Sequence, residues 1–370
     1  MNKYEINDKK LSLDDEAILS KTITFLRFPL IIAVVLIHTV LVGLVYNGTS
    51  STEENQYPIY NFYYHILSEE LARIAVPLFI INSGFLFFYH TDFSLSIYKT
   101  KLKNRARSLL LPYILWNILV AVLLLCAQLF ATSLISGNHK PIIDYGWTDW
   151  INIFWAANNN LPIAIQFWFI RDLMIAILFT PLIYQLIKYF HIYLLVVLGL
   201  LWIFNFQLSI LRFDAFLFFS FGAWFSINHR HFMICFRPLR QLCSIIYIIL
   251  LIFSTCLWYS HSDYYHIVSK INIVIGLIAV VSWSAYGISN NIISENKFLA
   301  SSSFFIFAYH ELPLVLMTKS WVKLWSPLNE WTLLLGYILI PTIIIAIGIG
   351  IYALIRKYLP TFTSIITGGR

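Results

Sequence analysis

Two residue types that a bilayer resists share the first apolar run of this sequence. Arg27 and His38 stand eleven positions apart within the run from Thr24 to His38. At about 100° per residue, eleven steps return to nearly the same helix face, and a rise of 1.5 Å per residue puts them ~16 Å apart along the axis. They share a face but cannot bond to each other. Ionisable groups inside a membrane are functional candidates because burying them is unfavourable. An arginine offers a planar fork of donors that matches phosphate oxygens. A neutral imidazole can take a proton from a hydroxyl as a general base, or attack an activated acyl carbon itself. The plain alternative is a snorkelling arginine and a histidine bonded to a neighbouring helix.

A second histidine, His310, falls about eleven residues into a late apolar run, at a depth comparable to that of His38. Glu311 follows it directly, and on a continuous helix it faces elsewhere. Lys101, Lys103, Arg105 and Arg107 alternate just before another apolar run. Arg73 and Ser83 lie ten residues apart on the second apolar run. Arg171 beside Asp172, and Arg212 near Asp214, read most simply as local ion pairs. Trp147, Trp150 and Trp155 fit either an interfacial belt or a platform for sugar rings. His229, His231, His261 and His266 read as solvated loop residues. No His or Cys cluster has metal-ligand spacing, the four cysteines read as small buried hydrophobes, and there is no glycine-rich phosphate loop, so no metal is expected.

The elements that must carry these residues are membrane helices. Of the 370 residues, 59% are hydrophobic and 12% charged, about half the charged share of soluble domains, and the mean hydropathy is +0.75. A span needs roughly 20 mostly apolar residues. About ten stretches meet that length: 23–45, 73–90, 109–135, 167–187, 191–208, 211–227, 241–260, 268–287, 299–318 and 332–356. The pair 191–208 and 211–227 is short and closely spaced, so a re-entrant arrangement is an alternative there. The first run is too long for a signal-peptide core and is read as an uncleaved span. With residues 1–22 in the cytoplasm and the spans alternating, Lys99 to Arg107, Arg230, Arg237, Arg240, Arg356 and Lys357 fall on the inner side. Arg73, Lys140, Arg171, Arg212, Lys270, Lys319 and Lys323 fall on the outer side or at outer span ends. The excess of Lys and Arg inside puts both termini in the cytoplasm. The net charge of +7 is then a matter of membrane orientation, not of nucleic-acid binding. The fold class expected is an all-α, polytopic transmembrane bundle forming a single domain over 1–370.

In this order the landmarks resemble the integral membrane acyltransferase family 3, which O-acylates sugars. That family carries Arg, ten residues, then His in its first span. Here Arg27 and His38 match it, and the segments 73–85, 101–113, Phe167 to Ile170 and Ser303 to His310 follow in family order from about residue 22 to 318. The family's Arg-x-x-Arg is absent, since Lys101, Lys103, Arg105 and Arg107 alternate. Phe304 and Phe307 stand where the late motif often has Tyr, and no esterase-like domain is appended.

The resemblance implies an O-acyltransferase of the plasma or inner membrane, without a permanently bound cofactor. Its donor would be acyl-CoA, most plausibly acetyl-CoA, entering from the cytoplasm. Its acceptor would be a cell-surface polysaccharide or a lipid-linked sugar precursor. It further implies that Arg27, Lys101, Lys103, Arg105 and Arg107 hold the donor's phosphates, that His38 is catalytic with His310 beside it, and that Arg73, Ser83, Trp168 and Arg171 face the acceptor. The oligomeric state is not implied. The rival reading is a secondary transporter or lipid-linked sugar flippase, which also suits many spans with buried charges. Matching broken helices in two halves, common in transporters, are not visible here.

Overall fold

The computed structural model describes residues 13–43, 45–46, 49–50, 56–130, 140–156, 161–208 and 211–369. These are almost wholly helical, apart from two antiparallel two-residue ladders, Val45–Tyr46 with Thr49–Ser50 and Gln207–Leu208 with Leu211–Arg212. In order the helices are α1 (Leu13–His38), α2 (Pro58–Tyr64), α3 (Ala75–Phe88), α4 (Leu95–Arg105), α5 (Leu111–Phe130) and α6 (Trp147–Asn152). There follow α7 (Trp168–Leu178), α8 (Thr180–Phe190), α9 (Ile192–Ile203), α10 (Phe213–Ile227), α11 (Phe232–Phe236) and α12 (Arg240–Tyr259). The chain ends with α13 (Tyr265–Ser289), α14 (Lys297–Tyr309), α15 (Glu311–Leu324), α16 (Glu330–Tyr358) and α17 (Pro360–Thr367).

Each apolar stretch read from the sequence centres on a helix or a helix pair. Among the described residues six helical runs are long and apolar enough to cross a membrane: Asp15–His38, Pro58–Phe88, Leu95–Phe130, Phe232–Tyr259, Tyr265–Ser289 and Glu330–Tyr358. Two bent pairs raise the number to as many as eight, α7 with α8 at 66° and α14 with α15 at 64°. The closely spaced pair α9 and α10 are apolar but shorter.

Several boundaries differ from the sequence expectation. The first helix starts at Leu13, ten residues early, because Asp15 and Glu16 suit the positive end of a helix dipole. Residues 1–12 of the expected N-terminal segment lie outside the described residues, as do 131–135 of the expected third span. The second run begins at Pro58 and continues through a π-helical turn, His65–Leu71. Its polar residues His65, Ser68 and Glu70, which precede the expected start at residue 73, all turn inward and are buried. His231 is likewise not solvated. It packs edge-on against Phe85 and Tyr89, with ring centroids 5.6 and 5.5 Å away, and burial pulls its pKa down.

The tightest helix contact joins α3 to α10. An added Cβ on Gly84 would sit 2.1 Å from the Phe219 carbonyl oxygen, and one on Gly222 would sit 2.0 Å from that of Ile81. Small residues let backbones approach where lipid gives no hydrophobic drive between helices. Gly222→Ala should therefore destabilise the bundle by about 1–3 kcal/mol or more. A lowered Tm in detergent would record this, while an unchanged Tm would mean that the contact is not structural.

Candidate functional site

The site forms where α1 ends and α14 breaks. Pro313 has no N–H for the Tyr309 carbonyl four residues back, and its ring clashes there. The chain therefore stops α14 at Tyr309 and restarts α15 at Glu311, 64° away. Because α1 runs alongside α14, this corner lies against His38, the last residue of α1.

The corner brings two imidazoles and a carboxylate together. His38 Nδ1 is 2.9 Å from Glu311 Oε2, and His310 Nε2 is 3.7 Å from the same oxygen. The two imidazoles meet edge to face, with centroids 5.2 Å apart. His310 is fully buried, and its Nδ1 lies 2.7 Å from the Phe307 carbonyl. A carbonyl only accepts, so Nδ1 of His310 carries the hydrogen and Nε2 keeps a lone pair facing the cluster. By the same reasoning a carboxylate against Nδ1 of His38 leaves the lone pair of that ring on Nε2. An imidazole held by a carboxylate and presenting a free ring nitrogen is equipped to take a proton from a hydroxyl.

The matched depth of His38 and His310 agrees with the sequence reading. The reading of Glu311 does not. Adjacent residues diverge only on a continuous helix, and the break at His310 turns Glu311 toward His38. The same three side chains place their ligand atoms within 4.8 Å of one another and could hold a metal ion. The sequence reading put His310 beside His38 but left out Glu311, which joins them only through the break between α14 and α15.

A cavity of about 170 Å³ lies on the same two helices, nearer the start of α1. Arg27 and Arg105 both line it, together with Asn82, Ser83 and Ser303. Asn82 Oδ1 and Ser83 Oγ are buried in it without a hydrogen-bond partner. Among the described residues neither Arg27 nor Arg105 has a carboxylate partner, so two uncompensated guanidinium groups meet in one space. Such a space fits an anionic ligand with phosphate-like oxygens.

The other sequence candidates divide. Of the basic stretch only Arg105 reaches this cavity. Lys101 turns instead to the Phe87 carbonyl and to Thr91 Oγ1, while Lys103 and Arg107 are exposed. Alternating residues on a helix fan out by about 200° per pair, so four of them cannot share one target. Ser83 lines the same cavity as Arg27. Arg73 is half-exposed and pairs with Glu69 at 2.5 Å. Arg171 and Asp172 form a buried pair at 2.9 Å, and Arg171 also donates to the Trp155 carbonyl at 2.6 Å. Trp168 lies beneath the Arg212 guanidinium at 4.2 Å, and Arg212 reaches Asp214 at 3.0 Å. Both local ion pairs are as the sequence suggested.

Residues 21–353 match the family described as an acyltransferase domain. The chain is also similar to the succinoglycan biosynthesis protein ExoH of Rhizobium meliloti, with 27% identity over 362 residues, covering 96% of this chain and 94% of that protein. No solved structure matches the chain.

Proposed function

The chain belongs to this acyltransferase family, and from that premise we propose that it moves an acyl group from cytoplasmic acyl-CoA to a hydroxyl of a cell-surface polysaccharide or its lipid-linked precursor. Acetyl is the group proposed. The observation that carries the reading is the shared pair of helices. Arg27 and Arg105 form an anion-suited cavity toward the start of α1, and His38 with Glu311 and His310 forms a proton-handling cluster at its end. The ~16 Å between Arg27 and His38 is comparable to an extended pantetheine arm. With the phosphates at the arginines, the thioester is presented at His38.

In the proposed reaction His38 Nε2 takes the proton from the sugar hydroxyl as its oxygen attacks the thioester carbonyl. The carbon–sulfur bond then breaks. The leaving thiolate takes the proton back from His38, giving a sugar ester and free CoA. Glu311 holds the imidazole and balances its charge while it is protonated. His310 packs against the His38 ring and keeps Nε2 beside the same carboxylate, which helps to hold the imidazole in place.

The proposed topology has ten spans, with α9 and α10 as the short ones and both termini in the cytoplasm. Two contacts support a common side for the ends and the basic segment. Glu16 near the start of α1 reaches His90 at 3.2 Å, and Gly368 near the C-terminus lies against the Ser108 backbone. The proposed location is the plasma membrane. A carbohydrate acceptor is supported by the relative's name, which concerns the biosynthesis of a polysaccharide. A transporter or flippase is not favoured by a match to an acyltransferase domain over most of the chain.

The test is reconstitution of the purified protein with acetyl-CoA and surface glycan or lipid-linked sugar. CoA thiol should be released, and the acceptor should gain the mass of one acetyl group. Protein that moves a lipid-linked sugar across the vesicle membrane yet consumes no acyl-CoA would overturn the reading.

A further inference from the structure

The arginine cavity and the histidine cluster lie in the same order along two helices, and the cavity stops short of the cluster. On α1 the cavity is lined by Ile23, Arg27 and Ile31, and on α14 it ends at Phe307. His38 stands seven residues past Ile31, ~10 Å further, and His310 stands three past Phe307, ~4.5 Å further. Neither histidine nor Glu311 lines the cavity. Phenyl rings wall the end of the cavity that faces the cluster. The Phe307 ring lies 5.0 Å from Phe167, 4.9 Å from Phe169 and 5.8 Å from Phe304, and 6.2 Å from the His310 imidazole. Phe167 and Phe307 are 0% and 1% exposed. Gln166 fixes the layer by donating to the Ala308 carbonyl at 2.8 Å, which ties the chain before α7 to the end of α14. Beyond the layer, the side chains of His38 and Glu311 keep 22% and 18% exposure, so they are reached by a route other than the cavity.

We infer that Phe307 is the specificity-determining residue of this enzyme, its ring closing the donor cavity from the histidine cluster and setting the size of acyl group that can pass. The inference rests on the acyl-CoA reading. It follows from geometry and from what the reaction must avoid. A thioester carried to His38 has to pass the ring, which moves by side-chain rotation, whereas the backbone around it is pinned. A small acyl group needs a small rotation, and each further methylene collides with Phe167, Phe169 or Phe304. Between turnovers the closed ring keeps water from the far side away from the donor thioester.

Two measurements test this. The first needs no activity. In a background with Cys126, Cys235, Cys243 and Cys256 replaced by serine, His38→Cys is made with and without Phe307→Ala. A small anionic methanethiosulfonate reagent is then offered from the Arg27 side of sealed vesicles. Labelling should occur only when Phe307→Ala is present. Labelling without it overturns the partition, and no labelling in either background overturns the assignment of the closure to Phe307. The second is kinetic and uses otherwise unaltered protein. Phe307→Ala should raise the kcat/KM ratio of butyryl-CoA over acetyl-CoA about tenfold or more, the scale set by methylene discrimination in an apolar pocket, and should increase CoA release without acceptor. Phe307→Leu, which is safer for folding, should shift both in the same direction by less. Wild-type acyl preference and wild-type CoA release in both variants would overturn the specificity role. If even the wild type consumes no acyl-CoA, the function reading fails, while the labelling experiment still decides the partition.

Discussion

His38→Ala should lower kcat by about 10²–10⁴-fold, the usual cost of removing a general base, while acyl-CoA binding survives. The expectation follows from position. His38 lies at the end of α1 beyond the phenyl layer, against Glu311 and His310 and away from the cavity that holds the two arginines. Arg27→Ala should fail differently. It removes a contact ~16 Å from His38, one made equally to bound donor and to transition state. Its loss should raise KM for acyl-CoA with kcat largely kept. Arg27→Lys should be partly tolerated, since a point charge still meets a phosphate but loses the fork. Arg105→Ala should resemble Arg27→Ala because both guanidinium groups line the same cavity. Steady-state kinetics with a separate acyl-CoA binding measurement distinguishes these variants. Near-wild-type turnover in His38→Ala would sink the mechanism. Loss of donor binding in that variant alone would reverse the two roles.

The all-helical membrane architecture was legible because it depends on a property averaged over 20 or so residues, and averages survive local irregularity. The shared face of Arg27 and His38 was legible for a similar reason, as α1 is unbroken from Leu13 to His38 and helical spacing therefore holds. What resisted reading depends on single breaks and on distant partners. Glu311 was set aside by a rule that fails across a helix break, although Pro313, which causes the break, is plain in the sequence. Arg105 could not be separated from Lys101, Lys103 and Arg107, since only the neighbouring helices decide which of four alternating cations meets Arg27. Ser83 was grouped with Arg73 by their shared span, but side chains on one helix point into different neighbours. His65 and Glu70 precede the expected start of the second span at residue 73, whereas the fold buries both, with Asn272 donating to Glu70 at 3.0 Å.

The residue that sequence reasoning passed over carries the second large expected effect. Glu311→Gln should reduce kcat by about 10²-fold or more, the scale seen when the carboxylate that orients a catalytic imidazole is neutralised, with KM for acyl-CoA unchanged. Glu311 does not reach the arginine cavity, so donor binding should not register its loss. Its carboxylate is the group 2.9 Å from His38 Nδ1, where it fixes which ring nitrogen is free and balances the charge as the proton arrives. Glutamine keeps the shape but presents an amide, which can offer an N–H to that nitrogen and favour the wrong tautomer. Aspartate keeps the charge on a shorter arm. Glu311→Asp should therefore recover part of the activity that Glu311→Gln loses. A merely structural Glu311 would give another pattern, in which both variants yield less folded protein with kcat per folded molecule unchanged. Measuring kcat against the monodisperse fraction separates the two cases. Wild-type turnover in Glu311→Gln would remove the carboxylate from the mechanism and leave His310 as the remaining partner of His38.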